Sequence, residues 1–190
     1  LVESNNVTQV YTRPKALTIG DVNYPSNIFM LWSSSELKAI GIYEVVIDNS
    51  NLKDKQYYAN TDQSFAFADD TVTASYGAAT ALPLDNVLFT AQDETDGIGT
   101  EGEIKKLGIR QSHIDVINKN AANNLAPTDW MVVRAAEGGT AVPSGTTTKR
   151  AAVRTKANAM CTQITNAADV DALAALYVYN DDTPPVRPLG

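Results

Sequence analysis

The chain has 190 residues, of which 44% are hydrophobic and 19% are charged, a balance typical of a folded protein and not of a disordered one. Its formal net charge is −7 and its sequence pI is about 4.6, so we expect no nucleic-acid partner, because a duplex requires a basic surface. No apolar run approaches the roughly 20 residues that a bilayer span requires, and we therefore expect no membrane partner.

The first half of the chain is rich in β-branched and aromatic residues and in turn formers. This composition predicts short antiparallel strands arranged as a meander or as hairpins. The alternation of Phe65 and Phe67 around Ala66 places both rings on one face of a strand. The segments predicted as strands are 7–12, 17–19, 42–47, 56–59, 64–68, 71–76 and 86–90.

One short helix is predicted among these strands. Ser33 and Glu36 have the S-x-x-E spacing of a capping box, and Leu37 and Ile40 form an apolar stripe. Gly41 follows at the position where a left-handed C-terminal cap is required. The helix should therefore end at Gly41.

From Glu101 onward the apolar residues repeat with a helical period, which predicts four helices in an antiparallel bundle or hairpin. Thr128 is expected to cap the second of them, and Asp169 the fourth. The apolar face of the first helix is predicted to carry Ile104, Leu107, Ile114, Ile117 and Ala121. The apolar stripe of the third is predicted to carry Val153, Ala157, Met160 and Ile164.

Trp130 lies just inside the second of these helices, after the turn marked by Pro127. We predict that its ring is buried against the first helix, in which case Trp130→Ala should cost about 3–5 kcal/mol. Arg134 is placed to stack on the ring, since it lies four residues later. The basic run of Lys149, Arg150, Arg154 and Lys156 is expected to be a solvated helix face.

The residue types that carry catalysis are sparse. His113 is the single histidine and Cys161 the single cysteine, so an ordinary zinc site and an intrachain disulfide are both excluded within the chain. His113 is expected to be a surface or helix-packing histidine, and Cys161 to behave as a small buried apolar group. We predict no catalytic, cofactor-binding or metal-binding residues, no cofactor, and no enzymatic activity.

An acidic stretch at 92–103 partly matches a calcium-binding loop, because Gln92, Glu94, Asp96, Gly97 and Glu103 occupy its positions 1, 3, 5, 6 and 12. The first position should be Asp, and the segment before it is predicted to be a strand and not a helix. We therefore predict an acidic surface loop without a specific calcium site. A second group, Tyr57, Tyr58, Phe65, Phe67 and Tyr76, could stack on sugars or partner side chains, but core packing is the preferred interpretation.

The predicted fold class is α+β, with an N-terminal antiparallel β region containing one short helix, a C-terminal helical hairpin or bundle, and an extended C-terminal arm. The arm carries three prolines after Asp182, and it is expected to lie in a groove of a neighbouring subunit. The predicted organisation is a β-rich domain at 1–92, an acidic linker at 93–103, a helical domain at 104–180 and a Pro-rich segment at 181–190.

Residues 125–139, which read LAPTDWMVVRAAEGG, resemble the L-x-x-T-D-W-x-V-x-R stretch of small tail-fibre, tail-fibre-assembly and virion structural proteins of tailed bacteriophages. The similarity continues at 149–154 (KRAAVR) and 168–173 (ADVDAL). It is also present at 24–27 (YPSN) and 36–42 (ELKAIGI). It covers about half the chain and is strongest over 125–173.

The resemblance implies a structural subunit of the phage tail, baseplate or fibre attachment, located in the virion and made in the bacterial cytoplasm. Its expected partners are further copies of the chain and other phage structural proteins, in a homo-oligomer or a larger assembly. A tail-fibre assembly chaperone that does not remain in the virion is the alternative. A glycan-binding or glycan-cleaving protein is the third and least favoured possibility.

Overall fold

The structure, a computed structural model, describes residues 1–182. The chain divides into two compact units, Leu1–Thr80 and Ala81–Gly190. Short strands dominate the first unit and helices the second, so the predicted α+β class is confirmed. The division falls at residue 80 and not at the predicted 92. Most of the predicted Pro-rich arm, 183–190, lies outside the described residues.

The first unit contains several small sheets. Strands β1 and β2 form one antiparallel pair, β3 and β4 form another, and β6 pairs with β9. The first unit ends within β9. The central sheet has the order β5-β8-β7, with β7 antiparallel to β8 and β5 parallel to β8. The bounds are β1 Val2–Glu3, β2 Asn6–Val7, β3 Leu17–Ile19, β4 Val22–Tyr24, β5 Val45–Asp48, β6 Tyr58–Ala59, β7 Gln63–Ala68, β8 Thr71–Tyr76 and β9 Thr80–Ala81.

Two short helices, α1 (Ile28–Leu31) and α2 (Ser34–Ala39), follow the β3–β4 hairpin, where one had been predicted. The Ser33–Glu36 capping box is present at α2. Gly41 adopts the left-handed conformation with φ +81°, and Ile42 N–H donates to Leu37 O at 2.9 Å. Because Ile42 completes this C-terminal cap, strand β5 begins only at Val45 and not at the predicted Ile42.

The core of the first unit lies under α1 and α2, with Leu1, Leu17, Ile28 and Ile42 buried together. In the central sheet Val72 and Ala74 of β8 are buried. The half-buried positions of β7 alternate, and Phe65 and Phe67 share one face as predicted. The buried ring of Tyr57 and the half-buried Tyr58 and Tyr76 place these aromatic residues in the packing of the strands.

The second unit begins with a β-hairpin, β10 (Val87–Leu88) and β11 (Ile104–Lys106), which encloses the short helix α3 (Ala91–Thr95). The predicted helix beginning near Glu101 is therefore wrong at its start. Ile104 lies in a strand and is 51% exposed, and the exposed Leu107 precedes the helix. Phe89 N–H donates to Glu103 O at 2.9 Å. This cross-strand hydrogen bond belongs to a β-hairpin, which forms although the apolar residues of the segment repeat with a helical period.

Four helical elements and a 3-10 turn complete the second unit. They are α4 Ile109–Leu125, the 3-10 turn Ala126–Thr128, α5 Asp129–Ala136, α6 Ser144–Asn166 and α7 Val170–Ala175. The principal packing is between α4 and α6. Of the predicted stripe of the third helix, Ala157 and Ile164 are buried, and Val153 and Met160 are half-buried. The other buried hydrophobic positions among the described residues of the unit are Ile117, Ala167, Val170 and Leu173. Asp169 caps α7 as predicted.

Two predictions at the start of α5 are wrong. Trp130 is 55% exposed and not buried against α4. Thr128 occupies the N-cap position of α5, but its side chain forms no capping hydrogen bond, and its hydroxyl donates instead to Leu125 O at 2.9 Å. The 3-10 turn Ala126–Thr128 joins α4 to α5 without an intervening loop residue.

Candidate interaction surfaces

The described residues contain no group of three or more His, Cys, Asp or Glu side chains that could hold a metal ion. His113 is half-buried on α4, and its Nδ1 lies 2.7 Å from the Tyr177 hydroxyl. Burial lowers its pKa below the ordinary value. Of the two placements predicted for His113, at the surface or packed against a helix, the structure shows the second. Cys161 is only partly buried, and its thiol lies 3.7 Å from Asn118 Oδ1.

The acidic segment 92–103 forms α3 and the turn that leads into β11. Asp93 accepts from Lys105 Nζ at 2.6 Å and from the Thr90 backbone N–H and hydroxyl, both at 2.9 Å. These contacts, the lysine first, lower the Asp93 pKa to about 2. Gln92 and Asp96 are joined by a hydrogen bond of 2.8 Å. Asp93 thus joins α3 to β11 through its own hydrogen bonds.

Two arginines join the elements of the second unit. Arg150 on α6 donates to Leu125 O at 2.7 Å, to Thr128 Oγ1 at 2.5 Å and to Asp129 Oδ1 at 2.7 Å. Only 11% of its side chain is exposed, so its prediction as part of a solvated face is wrong, whereas Lys149, Arg154 and Lys156 are exposed as predicted. Arg110 pairs with Asp85 and donates to Ala167 O at 2.7 Å.

Sequence reasoning missed the roles of both arginines. For Arg150 a signal existed: it precedes Val153 by three residues and Ala157 by seven, so it lies on the apolar stripe of α6. A charge on such a stripe faces the neighbouring helix end, where unpaired carbonyls accept hydrogen bonds. No comparable pattern marks Arg110, because its partners lie 25 and 57 residues away in the chain.

One face of α5 is apolar and exposed. Trp130 and Val133 are 55% and 54% exposed, and Val132 is 42% exposed. The Arg134 guanidinium carbon lies 4.9 Å from the centre of the Trp130 ring, so the predicted stacking of this pair is confirmed. We call Trp130, Val133 and Arg134 the α5 surface. Tryptophan and arginine are the residue types most enriched where binding energy concentrates in protein interfaces.

The first unit also exposes large apolar side chains. Met30 and Leu31 on α1 are 82% and 74% exposed. Strand β5 is an edge of the central sheet, and its Val46 and Ile47 are 54% and 62% exposed. An unpaired edge strand with apolar side chains is a template for pairing with another chain.

An open cleft of about 720 Å³ lies in the first unit, lined among others by Tyr11, Trp32, Tyr43, Lys38 and Asp70. Lys38 Nζ lies 2.6 Å from Asp70 Oδ2 and 5.6 Å from the centre of the Tyr43 ring. The hydrogen bond from Lys38 lowers the Asp70 pKa. The cleft therefore presents aromatic rings beside a pair of charges that neutralise each other.

The accessible surface of the chain is large for its mass. It measures 12742 Å², whereas a compact monomer of 20.4 kDa exposes about 8,800 Å². Two separate compact proteins of half that mass would together expose only about 10,600 Å². Residues 183–190 could add at most about 1,200 Å² as a fully extended chain, so the excess remains when they are discounted.

The distribution of apolar side chains between buried and exposed positions agrees with this excess of accessible surface. Within residues 1–182, 13 hydrophobic residues are buried while 18 large ones are exposed. In that described range, only Ile164 and Leu173 are large side chains without accessible surface. Where such exposed side chains lie next to one another, they are candidate contact surfaces.

No protein-family model, no curated protein and no solved structure matches this chain. Among residues 1–182, no helix is both long enough and apolar enough to cross a membrane.

Proposed function

We propose that the chain is a structural subunit of a tailed-bacteriophage particle, in the tail, baseplate or fibre attachment, and that it acts through protein–protein contacts without catalysis. The observation that carries the proposal is the excess of accessible surface: 12742 Å², or about 11,500 Å² once the most that residues 183–190 could add is discounted, against about 10,600 Å² for two compact units. Protein subunits of permanent assemblies bury 2,000 Å² or more at their interfaces, by the usual order of magnitude.

The exposed apolar side chains support the same function, because they occur in both units. Met30 and Leu31 are exposed on α1, Val46 and Ile47 on β5, and Trp130 on α5. Separate patches on one chain suit a subunit with several neighbours. The class of particle rests on the resemblance of residues 125–173 to small tail proteins.

Quantitative mass spectrometry of purified particles tests the proposal. A structural subunit should be present at a constant copy number relative to the major tail protein, and washing at high salt should not remove it. The matched control is the infected-cell lysate, in which the chain must be detected in either case. Presence in the lysate and absence from the particles would contradict the proposal and would indicate an assembly chaperone.

A further inference from the structure

We propose that the α5 surface binds residues 181–190 of a second copy of the chain. This inference rests on the proposed function, since it names one contact through which the subunits assemble. The surface consists of Trp130, Val133 and Arg134, and the segment that binds it reads DDTPPVRPLG.

Contacts within the chain hold the Arg134 side chain of the α5 surface in place and leave the Trp130 ring exposed. Trp130 has one face covered by the Arg134 guanidinium at 4.9 Å, while 55% of the residue remains exposed. Val133 lies one turn along the helix and extends the apolar area. A side chain added at Gly139 would place its Cβ 2.8 Å from Arg134 Cγ, so the backbone at Gly139 packs directly on the arginine stem. A stem held in this way loses little freedom when a ligand binds.

The charge of Arg134 is not paired with a carboxylate of the described residues. It forms no ion pair with any residue in the described range 1–182, and its Nε is buried without a hydrogen-bond partner. Because the buried Nε is closed to solvent, a carboxylate from another chain would pair with the terminal nitrogens of the guanidinium, a group that binds carboxylates strongly. The binding segment should therefore carry an acidic group beside apolar or proline residues.

Residues 181–190 fit this requirement. Asp181 and Asp182 supply two carboxylates, and neither forms an ion pair with a described residue. Two prolines and Val186 follow at positions 184–186. Proline-rich segments bind aromatic surfaces in many recognition domains, because their restricted backbone loses little entropy on binding. The order of the segment, acidic and then proline-rich, complements an arginine beside an exposed tryptophan.

The described residues favour a second copy over the same chain. Asp181, Asp182 and Arg134 all lie within residues 1–182, and no ion pair joins Arg134 to either aspartate of its own chain. The carboxylate that pairs with Arg134 is therefore expected from a second copy.

The fluorescence of Trp130 tests the inference in the full chain carrying Trp32→Phe, which leaves Trp130 as the single tryptophan. As protein concentration rises, its emission should shift to shorter wavelength while sedimentation shows a rising mass. Deleting residues 181–190 should abolish both changes. Val116→Ala is the matched control, because Val116 is equally exposed at 55% on α4, and it should leave both changes intact.

Charge exchange tests the contact itself. Arg134→Glu should weaken self-association by about tenfold or more, as should Asp181→Arg with Asp182→Arg. Combining the three substitutions should restore most of the association, which a merely structural role of Arg134 would not do.

Three results separate the possibilities. Unchanged association after deletion of 181–190 would overturn the inference. So would a Trp130 shift that depends on residues 181–190 but not on concentration, since that would place the segment on its own chain. If the charge exchange succeeds and the chain is nevertheless absent from purified particles, the contact stands and the proposed function fails.

Discussion

Burial differs sharply between the largest apolar side chains of the second unit. Ile164 and Leu173 have no accessible surface, whereas Trp130 is 55% exposed. Because the contribution of a side chain to stability follows the surface it removes from water, size alone does not predict which of these residues holds the unit together.

We therefore expect Trp130→Ala to lower the free energy of unfolding of the dilute chain by less than about 1 kcal/mol. Leu173→Ala should lower it by about 2–5 kcal/mol, because it leaves a cavity between α7 and its neighbours. Urea unfolding of both variants measures the difference. Equal losses would mean that the Trp130 ring is buried in the isolated chain.

His113 should make stability depend on pH. Its pKa is lowered by burial from 6.5, so the folded state binds its proton less readily than the unfolded state. Above the unfolded pKa of about 6.5, His113 is neutral in both the folded and the unfolded state and costs the fold no stability. As pH falls through the folded pKa, protonation of the buried ring destabilises the fold.

The melting temperature should accordingly fall more steeply between about pH 7.5 and about pH 5 in the natural chain than in His113→Gln. Glutamine is the control because it can still bond to the Tyr177 hydroxyl without titrating. Parallel curves for the two proteins would contradict the burial of His113.

At the scale of elements, the arginine on α6 joins three segments of chain. Arg150 contacts the last residue of α4, the 3-10 turn and the first residue of α5. Its guanidinium adds hydrogen bonds to the Leu125 carbonyl and the Thr128 hydroxyl and pairs with the Asp129 carboxylate at the junction of the two helices.

Arg150→Met keeps the stem and removes the guanidinium, and we expect it to lower the free energy of unfolding by about 1–3 kcal/mol. Arg154→Met is the matched control one turn further along α6, where the exposed side chain should contribute no more than about 0.5 kcal/mol. Chemical unfolding of both variants measures the two contributions. If the two substitutions cost the same, Arg150 does not connect these elements.

The sequence predicted the elements that local rules determine. The Ser33–Glu36 capping box, strand β8 at Thr71–Tyr76, the stripe of α6 and the Asp169 cap all follow from neighbouring residues, and each is present. The sequence did not predict the parallel pairing of β5 with β8. A β-hairpin also replaces the predicted helix start at Ile104. Both depend on hydrogen bonds between residues distant in the chain, which periodicity cannot reveal.

The candidate surface was predicted less well than the fold. The pairing of Trp130 with Arg134 follows from their spacing of four on a helix and is confirmed. The 55% exposure of Trp130 depends on which residues distant in the chain pack against α5, and the sequence of α5 alone does not reveal them.

At the scale of the whole molecule, the central claim is that the excess surface of the chain is buried in an assembly. Hydroxyl-radical labelling of purified particles and of the dilute isolated chain tests it most directly. Met30 and Trp130 report on one unit each, and both side chains react readily when exposed. Met160, which is half-buried on α6, is the internal control.

The account predicts that Met30, which is 82% exposed, and Trp130, which is 55% exposed, are modified in the isolated chain and protected several-fold in the particles. Met160 should change little between the two samples. Equal modification of Met30 and Trp130 in the particles and in the isolated chain would contradict the claim that these surfaces are where the subunit meets its neighbours.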